Sequence, residues 1–286
     1  MSYLISIIVP VYNGEDFIEK CLAAIREQTY TDYEIIIVEN GSSDNTLNIL
    51  SRHQDDPKIT IISSKIKGLG NACNVGLENA RGDYITFIDV DDYVYPNYLE
   101  ELAKYKHYKI VKMTIENVKN IFELKTQAYK IKDAYKVVPA RWGALYHKDI
   151  FNGLSFENKF YEDFRIFPYL FDRCDEFFYI DKALYRYNSG GDLMNNNYDY
   201  CLDEIYEKFF ASSFVHDDIK YVLTGQFIRM FWAREYFALK NSQLDYFLSV
   251  RNTVLGKLPN IDVAIKTGTF DEKMKQIMRN FHNITQ

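Results

Sequence analysis

Asp89, Asp91 and Asp92 stand within four consecutive positions at the end of the apolar run Tyr84-Ile85-Thr86-Phe87-Ile88. Three carboxylates at the end of a buried strand repel one another and lose hydration, so the arrangement needs a cation or a set of donors. Hard oxygen ligands suit Mg²⁺ or Mn²⁺, and Mg²⁺ is usually held by one or two carboxylates together with substrate phosphates. The chemistry implied is a metal-bridged diphosphate. On these residues alone, a solvated acidic turn is the alternative.

The elements that must position this cluster come before it. Leu4-Ile5-Ser6-Ile7-Ile8-Val9 and Glu34-Ile35-Ile36-Ile37-Val38 are nearly continuous β-branched runs, the pattern of parallel strands covered on both faces. Ile59-Thr60-Ile61-Ile62 reads as a third strand and Gly82 to Ile88 as the fourth. Between them, Phe17, Ile18, Cys21, Leu22 and Ile25 recur at helical spacing, with Asn13 or Gly14 placed to cap and Glu15 and Asp16 in the first turn. A short helix carries Leu47 and Leu50, and another runs from about Leu69 to Ala80. Repeated βα units predict a mostly parallel sheet with right-handed crossovers, whose ligands gather outside the carboxyl ends of the strands. Pro10 to Asn13, Glu39 to Asp44 and Asp89 to Asp92 all emerge at that edge. Gly68-Leu69-Gly70 follows a strand and opens a helix, but it lacks the third glycine of a dinucleotide fingerprint; these glycines are read as allowing a tight turn or close approach to a ligand.

Composition narrows the function classes. The chain has 286 residues, 47% hydrophobic, which fits one large domain or a domain with an appendage. A net charge of −6 gives no general attraction to nucleic acid. Cys21, Cys73, Cys174 and Cys201 show no CxxC pairing, so free thiols in a reducing cytosol are expected. No apolar run approaches the ~20 residues of a membrane span, and no leader pattern opens the chain. The expectation is a cytoplasmic protein, soluble or peripheral on the inner face of the membrane.

Ile7-Ile8-Val9-Pro10-Val11-Tyr12-Asn13, Gln28-Thr29, Val38-Glu39-Asn40-Gly41-Ser42-Ser43-Asp44, Asn74-Val75-Gly76 and Gly82-Asp83-Tyr84-Ile85 leading into Asp89-Val90-Asp91-Asp92 together resemble family 2 glycosyltransferases of the GT-A fold. The resemblance implies an α/β architecture, Rossmann-like, with a mostly parallel central sheet flanked by helices and a C-terminal helical appendage. It implies a catalytic domain over residues 1–198, with a nucleotide-sugar half (1–95) and an acceptor half (96–198), followed by a helical region over 199–286. The activity implied is transfer of one sugar from a nucleotide diphosphosugar, with inversion and with Mn²⁺ or Mg²⁺ as cofactor.

Carried over by position, Pro10, Val11 and Tyr12 border the nucleotide base, and Glu39 and Asn40 read its edge. Asn40 stands where an Asp is usual; an Asn still accepts from an imide N–H but without charge assistance, so a UDP-sugar is the expected donor. Asn74 belongs to the donor side. Asp89, Asp91 and Asp92 surround ribose and metal, with the metal on Asp91 and Asp92. Cys73 stands where relatives carry Arg; Lys65 or Lys67 either supplies that positive charge or is a solvated surface lysine. Arg141-Trp142-Gly143-Ala144 resembles the acceptor segment, with Trp142 and Glu162 on the acceptor side. Val138 stands where processive members carry Gln, so the expected enzyme is non-processive. Of the Glu162-Asp163 pair, Asp163 matches the catalytic base, which inverting displacement requires to take the acceptor proton; the other reading of the pair is favourable charge at a helix N-terminus. Arg186 either reaches the diphosphate or forms a surface ion pair.

Residues from Pro96 on change character. Ile110-Val111-Lys112-Met113-Thr114-Ile115 and similar Lys-rich alternating segments predict added strands of mixed direction. From about Tyr200 the chain reads as helices, and apolar side chains cover most of the stretch Tyr221 to Lys240. Such a helix packs on the catalytic domain, on a second copy as a homodimer, or peripherally on a membrane. The expected partners are the nucleotide-sugar donor and a saccharide or lipid-linked oligosaccharide acceptor, with no nucleic acid. Two rivals are a catalytically silent nucleotide- or sugar-binding module and a nucleotidyltransferase; the latter should carry a basic, Gly-rich loop where this chain has Val11-Tyr12-Asn13-Gly14.

Overall fold

The computed structural model describes residues 3–118, 122–188 and 202–216, with the single positions 219, 222 and 272. The chain divides into two compact units, one formed by residues 1–130 and 139–197, the other by 131–138 and 198–286.

In the first unit the β-branched runs become strands β1 (Ile5–Val11) and β2 (Tyr33–Glu39), buried at all seven positions of each. That total burial explains the absence of polar alternation: helices cover both faces. β3 (Ile59–Ser63) pairs in parallel with β2, and β4 (Tyr84–Phe87) in parallel with β1. Helices α1 (Ile18–Arg26), α2 (Thr46–Ser51) and α3 (Leu69–Asn79) make the crossovers. α1 buries Ile18, Cys21, Leu22, Ala24 and Ile25, each large aliphatic side chain worth roughly 1.5–3 kcal/mol relative to exposure. It starts a turn later than expected. The Gly14 carbonyl accepts from the amides of Phe17 and Ile18. Asn13 uses its side chain elsewhere: its Oδ1 accepts from Ser43 N–H at 2.9 Å, while Gly14 N–H donates to Thr46 Oγ1 at 2.8 Å. These bonds lace the β1–α1 loop to the β2–α2 loop, which fixes one wall of the carboxyl edge.

Beyond β4 the sheet is mixed. β8 (Ala144–His147) joins β4 antiparallel, β6 (Ile110–Glu116) joins β8 antiparallel, and β9 (Glu176–Arg186) lies parallel to β6. β7 (Gln127–Lys130) and the short β5 (Tyr93–Val94) both pair antiparallel with β9. The order is β3-β2-β1-β4-β8-β6-β9-β5. Parallel pairing therefore describes the first half, and the strands added beyond β4 are of mixed direction, as their alternating segments predict. β6 also lacks the solvent face its alternation suggested. It is an interior strand between β8 and β9, and Lys112 is only 2% exposed. Helices α4 (Tyr98–Ala103) and α5 (Glu162–Phe171) complete the unit, and α5 turns Phe164, Ile166, Phe167, Leu170 and Phe171 inward.

In the second unit a 3-10 turn spans Ile131–Lys136 and α6 spans Leu202–Ala211, with Ile205 and Phe209 buried on one face. The apolar stretch Tyr221 to Lys240 lies outside the described residues, apart from the buried Val222. No helix among the described residues is long and apolar enough to cross a membrane.

Candidate active site

The register aligns Val11 with Glu39 and Glu39 with Ser63, so the first three strands end together, and β4 adds Ile88 and Asp89 beside them. Pro10 and Val11 are buried in the strand; Tyr12, one residue on, is 49% exposed, with the Lys67 ammonium 5.8 Å from its ring. Glu39 and Asn40 are buried at the same edge. Glu39 accepts from Ser42 N–H, and Asn40 Oδ1 accepts from Gly68 N–H at 3.1 Å. The acceptor atom expected to face an imide N–H is thereby engaged by backbone, and the Asn40 amide nitrogen remains as the donor.

Gly68 and Gly70 serve an approach within the protein. A Cβ on Gly70 would lie 2.2 Å from the Glu157 carbonyl oxygen, and one on Gly68 would lie 1.8 Å from Asn158 Oδ1. The 156–158 segment is strapped to α3 at this point. Asn158 Nδ2 donates to the Lys67 carbonyl, and its Oδ1 accepts from Asn71 N–H. Asn74, expected on the donor side, holds both backbone groups of Phe156: Nδ2 to its carbonyl and Oδ1 from its N–H, each at 2.8 Å.

The two acidic clusters of the sequence meet through one cation. Arg141, 3% exposed, lies just before β8 and reaches Asp89 with Nη2. Its Nη1 reaches Glu162 at 3.2 Å and the two oxygens of Asp163 at 3.1 and 3.0 Å, and its backbone N–H donates to Asp163 Oδ2 at 3.1 Å. Its Nε, also buried, has no acceptor among the described residues. α5 begins at Glu162, directly after Tyr161 in the left-handed region (φ 63°), so the helix presents both carboxylates at its first turn. Burial, opposed by Arg141, pushes the Asp89 carboxyl above its usual range. Burial and then the charge of Asp163 push Glu162 up to about 7.

Asp92 is held within the protein. It is 6% exposed; one oxygen accepts from the Tyr185 hydroxyl and the other from Asn188 N–H at 2.7 Å, and burial pushes its carboxyl up to about 8. Tyr185 also accepts from Asp89 N–H at 3.2 Å, and its ring stacks on Trp142, which stacks in turn on Tyr187. Asp91, by contrast, is half-buried at the cleft edge. Among the described residues no three His, Cys, Asp or Glu side chains converge on one point as a metal cage. Asp89 is engaged by Arg141, and Asp92 by Tyr185 and Asn188.

Cys73, fully buried, faces this cluster, and burial raises its thiol pKa. The cation that meets these acids among the described residues is Arg141. Arg186 takes the ion-pair alternative: it bonds Glu116 at 3.1 Å and lies over the rings of Tyr93 and Tyr95. The sequence had marked Arg141 only as part of a segment and Lys112 only as a strand residue, and it had not singled out Tyr185. Their one signal was a charge or hydroxyl inside an otherwise apolar strand or turn.

Residues 6–187 match the family model described as Glycosyl transferase family 2. The glycosyltransferase GlyA of Streptococcus pneumoniae serotype 4 is 32% identical over 215 residues, covering 64% of this chain and 30% of GlyA. The chain spans under a third of the length of the first curated relatives it matches. The crystal structure of S. aureus TarS 1–349 in complex with UDP-GlcNAc superposes with a TM-score of 0.75 at 18% identity, over 98% of this chain and 91% of that one. The mannosyltransferase PcManGT of Pyrobaculum calidifontis, in complex with GDP-Man and Mn²⁺, does so at 0.60 and 15% identity, over 96% and 84%. These structural likenesses show a shared fold, GT-A. Since the family model takes in well over half of the sequence, this chain belongs to glycosyl transferase family 2.

Proposed function

We propose that the chain is an inverting, non-processive glycosyltransferase that moves one sugar from a nucleotide diphosphosugar, a UDP-sugar, to a hydroxyl of a saccharide or lipid-linked acceptor on the cytoplasmic side of a membrane. The observation that carries this reading is the bridge of Arg141 between Asp89 at the strand edge and Glu162-Asp163 at the start of α5. In this reading a donor-side carboxylate and a candidate base share one buried cluster. TarS with UDP-GlcNAc and PcManGT with GDP-Man and Mn²⁺ supply the analogy for the donor class and the cation.

In this reading the edge formed by Pro10, Val11, Tyr12, Glu39 and Asn40 receives the base, the Asn40 amide donating to a ring carbonyl. Asp91 would hold Mn²⁺ or Mg²⁺, which neutralises charge building on the departing diphosphate. Asp163 takes the acceptor hydroxyl proton as that oxygen bonds to the anomeric carbon and the carbon–oxygen bond to the diphosphate breaks, its electron pair leaving with the nucleotide. Arg141 fixes the direction of the Asp163 oxygens, Asp92 braces the turn through Tyr185 and Asn188, and Trp142 offers its face to the acceptor. The residues from 199 onward would provide the membrane or subunit contact.

Calorimetric titration with UDP and with GDP, each with and without Mn²⁺, tests the reading. Tight binding of UDP that needs Mn²⁺, followed by release of UDP from a UDP-sugar, is the expected result. Preference for GDP overturns the role of Asn40, and binding of neither overturns the donor site.

A further inference from the structure

Lys112 is a buried lysine in the middle of β6, a placement that costs hydration and therefore needs a reason. Among the described residues no carboxylate pairs with it directly. Its Nζ instead donates to the carbonyls of Ala140 (2.5 Å) and Trp142 (3.3 Å), the two residues that flank Arg141. The same turn is pinned to β6 a second time, where Met113 N–H donates to the Gly143 carbonyl at 3.1 Å. Gly143 has φ +61°, and a Cβ there would lie 2.1 Å from Ile115 Cδ1, so the turn is pressed against the strand. Ala140 has one further partner, the Tyr146 hydroxyl at 3.4 Å.

We infer that Lys112 is a positioning residue for the base: by holding the carbonyls on either side of Arg141, it sets the Arg141 backbone N–H and guanidinium that aim Asp163. The Ala140 carbonyl and the Arg141 N–H belong to one planar peptide, so holding that carbonyl on the ammonium orients the N–H that is bonded to Asp163 Oδ2 at 3.1 Å, and the Trp142 carbonyl ties down the far side of the turn. Burial lowers the Lys112 pKa to about 7, with Asp163 opposing the shift. The clasp survives loss of the charge, because a neutral amine keeps two N–H donors for two carbonyls. The catalytic half of this inference rests on the glycosyltransferase reading; the structural half does not.

The experiment uses Lys112→Met in the full chain carrying Trp232→Phe, so that Trp142 is the one tryptophan left of the two in the sequence. Two quantities are read. One is release of UDP from whichever of UDP-glucose, UDP-galactose and UDP-GlcNAc the parent turns over, with water as acceptor. The other is Trp142 emission and its quenching by acrylamide, which needs no substrate. The expected result is a fall in kcat of at least about tenfold with donor KM unchanged within about twofold, as for an interaction that acts on the chemical step, together with a red-shifted, more quenchable Trp142. An unchanged kcat, a loss confined to KM, or a kcat fall with unaltered Trp142 emission each overturns the inference. If the parent releases UDP from none of the donors, the transferase reading has failed, and the emission alone decides whether Lys112 holds the turn. Should K112M not fold, K112L, which has no donor for either carbonyl, is measured in its place, and the same results support or overturn the inference.

Discussion

Arg141 grips Asp163 from two directions: its backbone N–H donates to Oδ2, and its Nη1 reaches both carboxylate oxygens. A main-chain donor and a side-chain donor from one residue leave the carboxylate little freedom to rotate. The same guanidinium neutralises Asp89 and Glu162. Removing it strands three carboxylates, which sets its expected cost. Arg141→Met should lower unfolding free energy by about 3–5 kcal/mol at pH 8, the range for breaking a buried ion pair from one side. Urea unfolding should show a smaller loss at pH 5, where Glu162, with its carboxyl pushed up to about 7, is protonated.

Asp163→Asn should reduce turnover by about 10²–10⁴-fold, the contribution of a positioned general base, with UDP affinity within a few-fold of the parent. Glu162→Gln should retain more than a tenth of parental turnover. If the two variants exchange these behaviours, Glu162 is the base.

Asp91 and Asp92 separate by their surroundings. Asp91→Asn should abolish the gain in UDP affinity that Mn²⁺ produces in calorimetry. Asp92→Asn should keep that gain, because both Asp92 oxygens face Tyr185 and Asn188 within the protein. A lost Mn²⁺ effect in the Asp92 variant would place the ion on the buried carboxylate.

The raised pKa values also predict a pH trend in the ligand-free protein. Asp92, pushed up to about 8, and Glu162, pushed up to about 7, stay protonated in the folded chain over a range where the unfolded chain has released those protons. The native state binds more protons at these two groups, so the stability they contribute is full below about pH 4 and is lost as pH rises towards 8. Denaturant melts between pH 5 and 8 should show a loss of order a few kcal/mol, and Asp92→Asn should flatten the slope.

Asn74→Ala removes both hydrogen bonds to the Phe156 backbone and should cost about 1–3 kcal/mol of stability. Its UDP affinity should change by less than about threefold if the amide serves the strap. A loss of ten-fold or more would return Asn74 to the donor site.

Much of this protein was legible in its sequence, for a physical reason that can be stated residue by residue. Ile5 to Val11 and Tyr33 to Glu39 are buried on both faces, and a strand so placed must be apolar throughout, so it announces itself. The carboxylates at Asp89, Asp91, Asp92 and at Glu162-Asp163 stood out because short runs of acid beside apolar segments are expensive without a counter-charge. What local pattern could not determine was which cation meets which acid. Arg141 is 52 positions from Asp89 and 22 from Asp163, and only the pairing of β8 with β4 brings them together. Lys112 looked like one polar position in an alternating strand, and its burial follows from β6 lying between β8 and β9. The glycines at 68 and 70 fitted a tight turn or close approach to a ligand, and tertiary packing brings Glu157 and Asn158 against them. Periodicity and charge spacing act over a few residues and so determined the elements and the acids. Long-range strand pairing acts across the whole unit and alone decided their partners.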